Sequence, residues 1–169
     1  VVGRMARVQA GGGKVIKCDG CVHLANVPGG RFLVIGCEKN VWLFDVCKRR
    51  ARQLFDFGSS RVVFSPSSCP PLLLAACSYN GDVNVLHCDS NELVATLPNN
   101  ARPKSLIRFV AERCIAFLPD GRLLVSTMDD KVARLWSTDN WDAPSMNIVG
   151  LPRLDDLSIS RTGRLLTIV

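Results

Sequence analysis

Pro119-Asp120-Gly121-Arg122-Leu123-Leu124-Val125-Ser126-Thr127-Met128-Asp129-Asp130-Lys131-Val132-Ala133-Arg134-Leu135-Trp136 is the stretch that decides the fold. Pro119-Asp120-Gly121 is a turn signal, because proline presets φ and glycine reaches positive φ without strain. A short apolar run, Leu123–Thr127, follows, then a second turn at Asp129-Asp130, then Val132–Trp136. Runs of five residues bounded by turn residues are strands. The stretch predicts two of them in succession.

The same order recurs along the chain. Gly30-Arg31-Phe32-Leu33-Val34 and Gly163-Arg164-Leu165-Leu166-Thr167 repeat the Gly-Arg opening, the latter 42 positions after Gly121. Phe64-Ser65-Pro66 precedes Leu72-Leu73-Leu74-Ala75-Ala76 in the same manner. The second run also repeats. Glu38-Lys39-Asn40-Val41-Trp42-Leu43-Phe44 and Asn80-Gly81-Asp82-Val83-Asn84-Val85-Leu86 align with Asp130–Trp136, their closing positions 42 and 50 residues apart. Short strands with a period of about 40–45 residues are the mark of a propeller blade. Long amphipathic helical patterns are absent, so the expected class is all-β.

Phe64-Ser65-Pro66, Leu118-Pro119-Asp120-Gly121 and Asp130–Trp136 resemble WD40 repeats, whose blades read Phe-Ser-Pro-x-Gly and later Asp, five residues, Trp-Asp. The copies closing at Phe44-Asp45 and Leu86-His87 are degenerate, and the Gly-His dipeptide that precedes each first strand is missing. The family's Asp–His–Ser–Trp hydrogen-bond network is therefore incomplete. The resemblance covers roughly Met5 to Val169 and implies a WD40-type β-propeller segment. Three full four-stranded blades are expected at 22–57, 61–97 and 114–149. Residues 1–17 resemble the outer strands of a preceding blade, and 156–169 the inner strands of a following one. Two halves that pair would close a four-bladed ring. Halves that do not pair imply about half of a seven-bladed ring, the reading favoured here over a dimeric eight-bladed ring. The chain begins without Met and ends in a strand-like run, which predicts a longer protein.

Composition narrows the function classes. Of 169 residues, 47% are hydrophobic and 21% charged, which is a globular balance. No apolar run is long enough for a membrane span. A net charge of +6 fits an acidic protein, a phosphate-rich partner, or solubility alone. The eight cysteines include Cys37, Cys77, Cys88 and Cys114 in or beside apolar runs, where a thiol acts as a small hydrophobe. No Asn-x-Ser/Thr acceptor occurs. These features predict a reducing intracellular compartment, cytoplasm or nucleus.

Motifs with chemistry fail at identifiable atoms. Cys18-Asp19-Gly20-Cys21-Val22-His23 offers three zinc ligands but no fourth at matching spacing, and reads as a turn between strands. Gly11-Gly12-Gly13-Lys14 departs from a phosphate loop at Val8 and Val15 and reads as a hairpin turn. Asp56-Phe57-Gly58 has no accompanying kinase elements. The two histidines, His23 and His87, have no nucleophile elbow to serve. The expectation is no enzyme, no metal and no cofactor.

What the resemblance implies instead is a protein–protein scaffold in a larger assembly. Partner contacts fall on loops at the narrow face: Cys37, Tyr79 and Asp129 just before each turn, with Arg61 and Arg113 at the starts of inner strands. Asp130 and Trp136 are expected to be structural. Two basic loops support the alternative, a propeller that binds RNA or a ribosome. One is Lys48-Arg49-Arg50 with Arg52, between third and fourth strands; the other holds Arg102, Lys104 and Arg108 in a long connector.

Overall fold

The computed structural model describes residues 6–9, 15–18, 21–26, 30–37, 39–57, 59–66, 68–78, 82–98, 115–127, 132–150, 157–160 and 166–168. Their regular elements are strands, joined by turns. β1 (Ala6–Gln9) and β2 (Val15–Cys18) make a two-stranded sheet. β3 (Cys21–Asn26), β4 (Phe32–Cys37), β5 (Val41–Asp45) and β6 (Arg50–Phe55) form the first four-stranded meander. The second is β7 (Ser59–Phe64), β8 (Leu73–Ser78), β9 (Val83–His87) and β10 (Leu93–Leu97). The third is β11 (Ile115–Phe117), β12 (Leu123–Thr127), β13 (Val132–Trp136) and β14 (Met146–Ile148). β15 (Leu157–Ile159) and β16 (Leu166–Ile168) form a separate two-stranded sheet. All pairings are antiparallel. The fold is thus three four-stranded blades and two half blades, as the repeat pattern predicts. The half blades are distinct sheets rather than one closing blade.

The first strands hold the axis. β3 touches β7, β7 touches β11 and β11 touches β15, so the first strand of each sheet stands beside the first strand of the next. Between the blades lie layers of side chains. Phe32, Val34, Val41 and Leu43 of blade 1 pack against Val62, Leu74, Ala76 and Leu86 of blade 2. On blade 2's opposite face, Leu73, Ala75, Cys77, Val83 and Val85 meet Ile115, Leu123 and Trp136 of blade 3. Because side chains alternate across a strand, neighbours along β8 serve different seams. Every side chain of β8 is buried for this reason. Ala75 and Ala76 at its centre let both neighbouring sheets come close.

Where the seams need polar groups, they are satisfied. Ser65, buried at the end of β7, accepts the Leu73 N–H through Oγ at 2.8 Å, and its own N–H donates to the Leu73 carbonyl at 2.9 Å. A buried hydroxyl without partners would cost about 1–3 kcal/mol.

One element departs from expectation. The sequence pattern places the fourth strand of blade 1 at 53–57, whereas β6 begins at Arg50, directly opposite Asp45. Arg-Ala-Arg-Gln lacks the apolar alternation of the strands around it, since β6 is an outer strand with much of its surface open to solvent. Among the described residues no helix is long and apolar enough to cross a membrane.

Candidate partner-binding groove at a blade seam

The β5–β6 hairpin turns through Val46–Arg49, with Arg49 in the left-handed region at φ 49°. Asp45 shapes this turn by accepting the Lys48 backbone N–H at 2.9 Å. That donor, helped by the positive charges of Arg31 and Lys48, holds the Asp45 carboxyl below the usual carboxylate range. The Arg31 guanidinium lies 4.5 Å from the Phe32 ring centroid and spans two acids. It is 3.6 Å from Asp45 of its own blade and 3.8 Å from Asp89 of the next.

Arg50 and Arg52 share one face of β6, two residues apart, while Ala51 packs the other way with Ile35 and Trp42. Arg52 reaches across the seam and donates from Nη2 to the Cys88 carbonyl. The Cys88 side chain is itself buried in the seam core. Burial, reinforced by the adjacent Asp89 charge, pushes its thiol up to about 12 against the opposing pull of Arg52. It is therefore a protonated hydrophobe at neutral pH and no nucleophile.

These groups border a groove of about 320 Å³ across the blade 1–blade 2 seam. Arg31, Lys48, Arg50 and Arg52 supply its positive charge, Asp45 and Asp89 its negative charge, and Phe32 and Leu43 its apolar floor. Lys48, Arg49 and Arg50 are exposed and form no ion pair among the described residues. The corresponding opening between blades 2 and 3 is about 160 Å³ and has His87 and Asp139 as its only ionisable side chains besides Cys69. There the contact is close: a Cβ on Gly121, at φ +90°, would stand 3.3 Å from Cys69 Cβ.

The blade carrying Trp136 has a counterpart among known families. Residues 104–137 match the family model described as WD domain, G-beta repeat, a span ending one residue past Trp136. That match sits on the third of three antiparallel blades stacked by their first strands. The chain carries a WD40-type repeat there. The WD40 fold also appears in its likeness to a solved structure, the Cps50 (Swd1) β-propeller domain of Myceliophteria thermophila. The TM-score is 0.66 at 18% identity, over 92% of this chain and 52% of that one. The chain thus spans about half the length of that WD40 propeller. No curated protein matches it in sequence.

Within the WD40 frame the sequence-derived residues separate. Cys37 is only 1% exposed: it shares the face of β4 that carries Leu33 and Ile35 and packs with them, so it cannot present itself to a partner. Arg61 is partly exposed on β7, opposite Cys77 and just past a bulge at Ser59/Arg61. Trp136 is 8% exposed and sits in the seam between blades 2 and 3. Tyr79, Arg113, Asp129, Asp130, Arg102, Lys104 and Arg108 lie outside the described residues. The basic loop is corrected to a basic hairpin. Lys48 and Arg49 are in the turn, but Arg50 and Arg52 belong to β6, because Asp45 pairs directly with Arg50. Cys18 closes β2 and Cys21 opens β3; the side chains of the Cys18–His23 stretch lie outside the description. Among the described residues no three His, Cys, Asp or Glu side chains gather as metal ligands.

Sequence reading missed Arg31, Cys88 and Asp89. Arg31 carries a signal, the repeated Gly-Arg at a blade-end turn. Cys88 and Asp89 carry none, since they meet the hairpin only through stacking of the next blade.

Proposed function

We propose that this chain is a protein-interaction scaffold acting within a multi-subunit assembly. The observation that supports it most is the groove of about 320 Å³ built jointly by two blades, whose exposed Lys48 and Arg50 form no ion pair among the described residues. A rigid concave surface with unspent charge is suited to holding another molecule. The WD-repeat match over residues 104–137 and the likeness to a solved propeller domain point the same way, as an argument from fold. On this reading, Arg61 belongs to a second contact set, which the repeat pattern of the sequence extends to Tyr79, Arg113 and Asp129. The described Cys37, Cys47, Cys69, Cys77 and Cys88 are all outside disulfides, which suits the proposed intracellular setting.

The test is affinity recovery of partners from cells expressing the full-length protein, compared with Arg61→Glu and with Tyr79→Ala/Arg113→Glu. Loss of a defined set of partners from either variant, with the protein still folded, is the expected result. A partner-recovery profile that no surface substitution on either blade end alters would overturn the reading.

A further inference from the structure

We infer that the seam groove between blades 1 and 2 receives an acidic peptide segment of a protein partner, a carboxylate meeting Arg50 and Lys48 beside an apolar side chain laid against the floor. The inference rests on the interaction-module reading above and names the class of partner at one surface.

Charge is the first argument. The two acids at the groove are already engaged, Asp45 by the Lys48 N–H and Arg31, and Asp89 by Arg31. Arg52 is held on the Cys88 carbonyl. What remains facing solvent is Lys48 and Arg50, with Arg49 beside them. Guanidinium and ammonium groups flanking one opening are matched by carboxylates, which guanidinium binds in bidentate fashion.

The second argument is that the charge is particular to this seam. The equivalent turn of blade 2, Cys88-Asp89-Ser90-Asn91-Glu92, has the same geometry. Its residue Asn91 is also left-handed, at φ 63°, as Arg49 is at φ 49°. Asparagine tolerates that conformation better than other non-glycine residues, whereas arginine gains nothing locally from it. Blade 2 thus places Asp89 and Glu92 where blade 1 places Cys47 and Arg50. Blade geometry does not demand the basic residues.

The third argument separates an acidic peptide from a nucleic acid. Single-stranded nucleic acid binding without sequence preference relies on aromatic faces on which bases stack. The aromatic ring in this groove, Phe32, is 5% exposed and lies beneath the Arg31 guanidinium. Its apolar floor of Phe32 and Leu43 suits an aliphatic side chain better than a base.

The experiment is fluorescence polarisation with the full-length protein. Its probes are a labelled Asp-Glu-Glu-Leu-Asp-Glu peptide, the neutral Asn-Gln-Gln-Leu-Asn-Gln peptide and a labelled oligouridine. The expected result is binding of the acidic peptide that weakens with salt and falls at least about tenfold in Arg50→Glu. Lys39→Glu, an equal change of charge on the β4–β5 turn at the opposite end of blade 1, leaves it within about twofold. Absence of acidic-peptide binding, equal binding of the neutral peptide, equal losses in both variants, or preferential capture of oligouridine each overturns the proposal. Should partner recovery in cells depend on Arg61 but not on Arg50, the groove assignment falls while the scaffold reading stands.

Discussion

Replacing Leu74 with alanine tests the stacked-blade architecture at its most sensitive point. Leu74 is fully buried, in the middle strand of blade 2, on the face that meets Val34, Val41 and Leu43 of blade 1. Trimming its isobutyl side chain to methyl forfeits burial and leaves a void that β8 cannot collapse into, since Ala75 and Cys77 on its other face are also at 0% exposure. Substitutions of this kind cost about 2.7–5.0 kcal/mol, and a site clamped from both faces belongs toward the upper part of that range. With a urea dependence of about 2 kcal/mol per molar, a loss of about 4 kcal/mol lowers the unfolding midpoint by about 2 M. The assay is equilibrium urea unfolding followed by far-ultraviolet circular dichroism and tryptophan fluorescence, with Leu93→Ala, an exposed residue of the same blade, as reference. A midpoint shift below about 0.3 M for Leu74→Ala, corresponding to less than about 0.6 kcal/mol, would mean that blades 1 and 2 do not bury this seam and would refute the packing argument.

Further outcomes follow from individual contacts. Arg49→Asn relieves a left-handed arginine and should raise stability by up to about 1 kcal/mol in the same urea assay; an unchanged midpoint would count against strain at that turn. Gly121→Ala should lower stability by about 1–2 kcal/mol, because φ +90° and the 3.3 Å approach to Cys69 Cβ both resist a methyl group. The Asp45 carboxyl is held low when folded, so the stability it contributes is present above the ordinary carboxylate range and fades as pH falls through its lowered folded value. The gap between wild type and Asp45→Ala in urea midpoint should therefore be constant near neutrality and close in strong acid; a gap that widens on acidification refutes this. Cys88, with its thiol pushed up to about 12, should resist an aromatic disulfide reagent at pH 8 while exposed Cys47 labels, as peptide mass mapping will show.

The parts of the fold that repeat were legible in the sequence, because repetition exposes pattern. Leu123–Thr127, Val132–Trp136, Val41–Asp45 and Val83–His87 each stand in the structure where turn residues and apolar alternation place them. β6 was not legible at its start. An outer strand needs one covered face only, so Arg50 and Arg52 can occupy it without an apolar signature. Cys37 looked accessible because it precedes a turn, yet the alternation that buries Ile35 buries it too. The groove was half legible. Lys48 and Arg50 stand out as a charge run, but Arg31, Cys88 and Asp89 join them only through stacking, which depends on the neighbouring blade. The seams themselves are apolar layers on both faces of β8, with polar ties at their margins such as Arg52 to the Cys88 carbonyl.

Blade 1 also fixes a distance. The basic hairpin closes at Asp45 and Arg50, whereas the β4–β5 turn at Lys39-Asn40 lies at the far end of the same strands. Five residues of extended chain separate the two ends by roughly 17 Å. A hydrogen-bonded sheet does not stretch, so polypeptides gripped at opposite rims would be kept that far apart, as if by a ruler whose length was set by strand register.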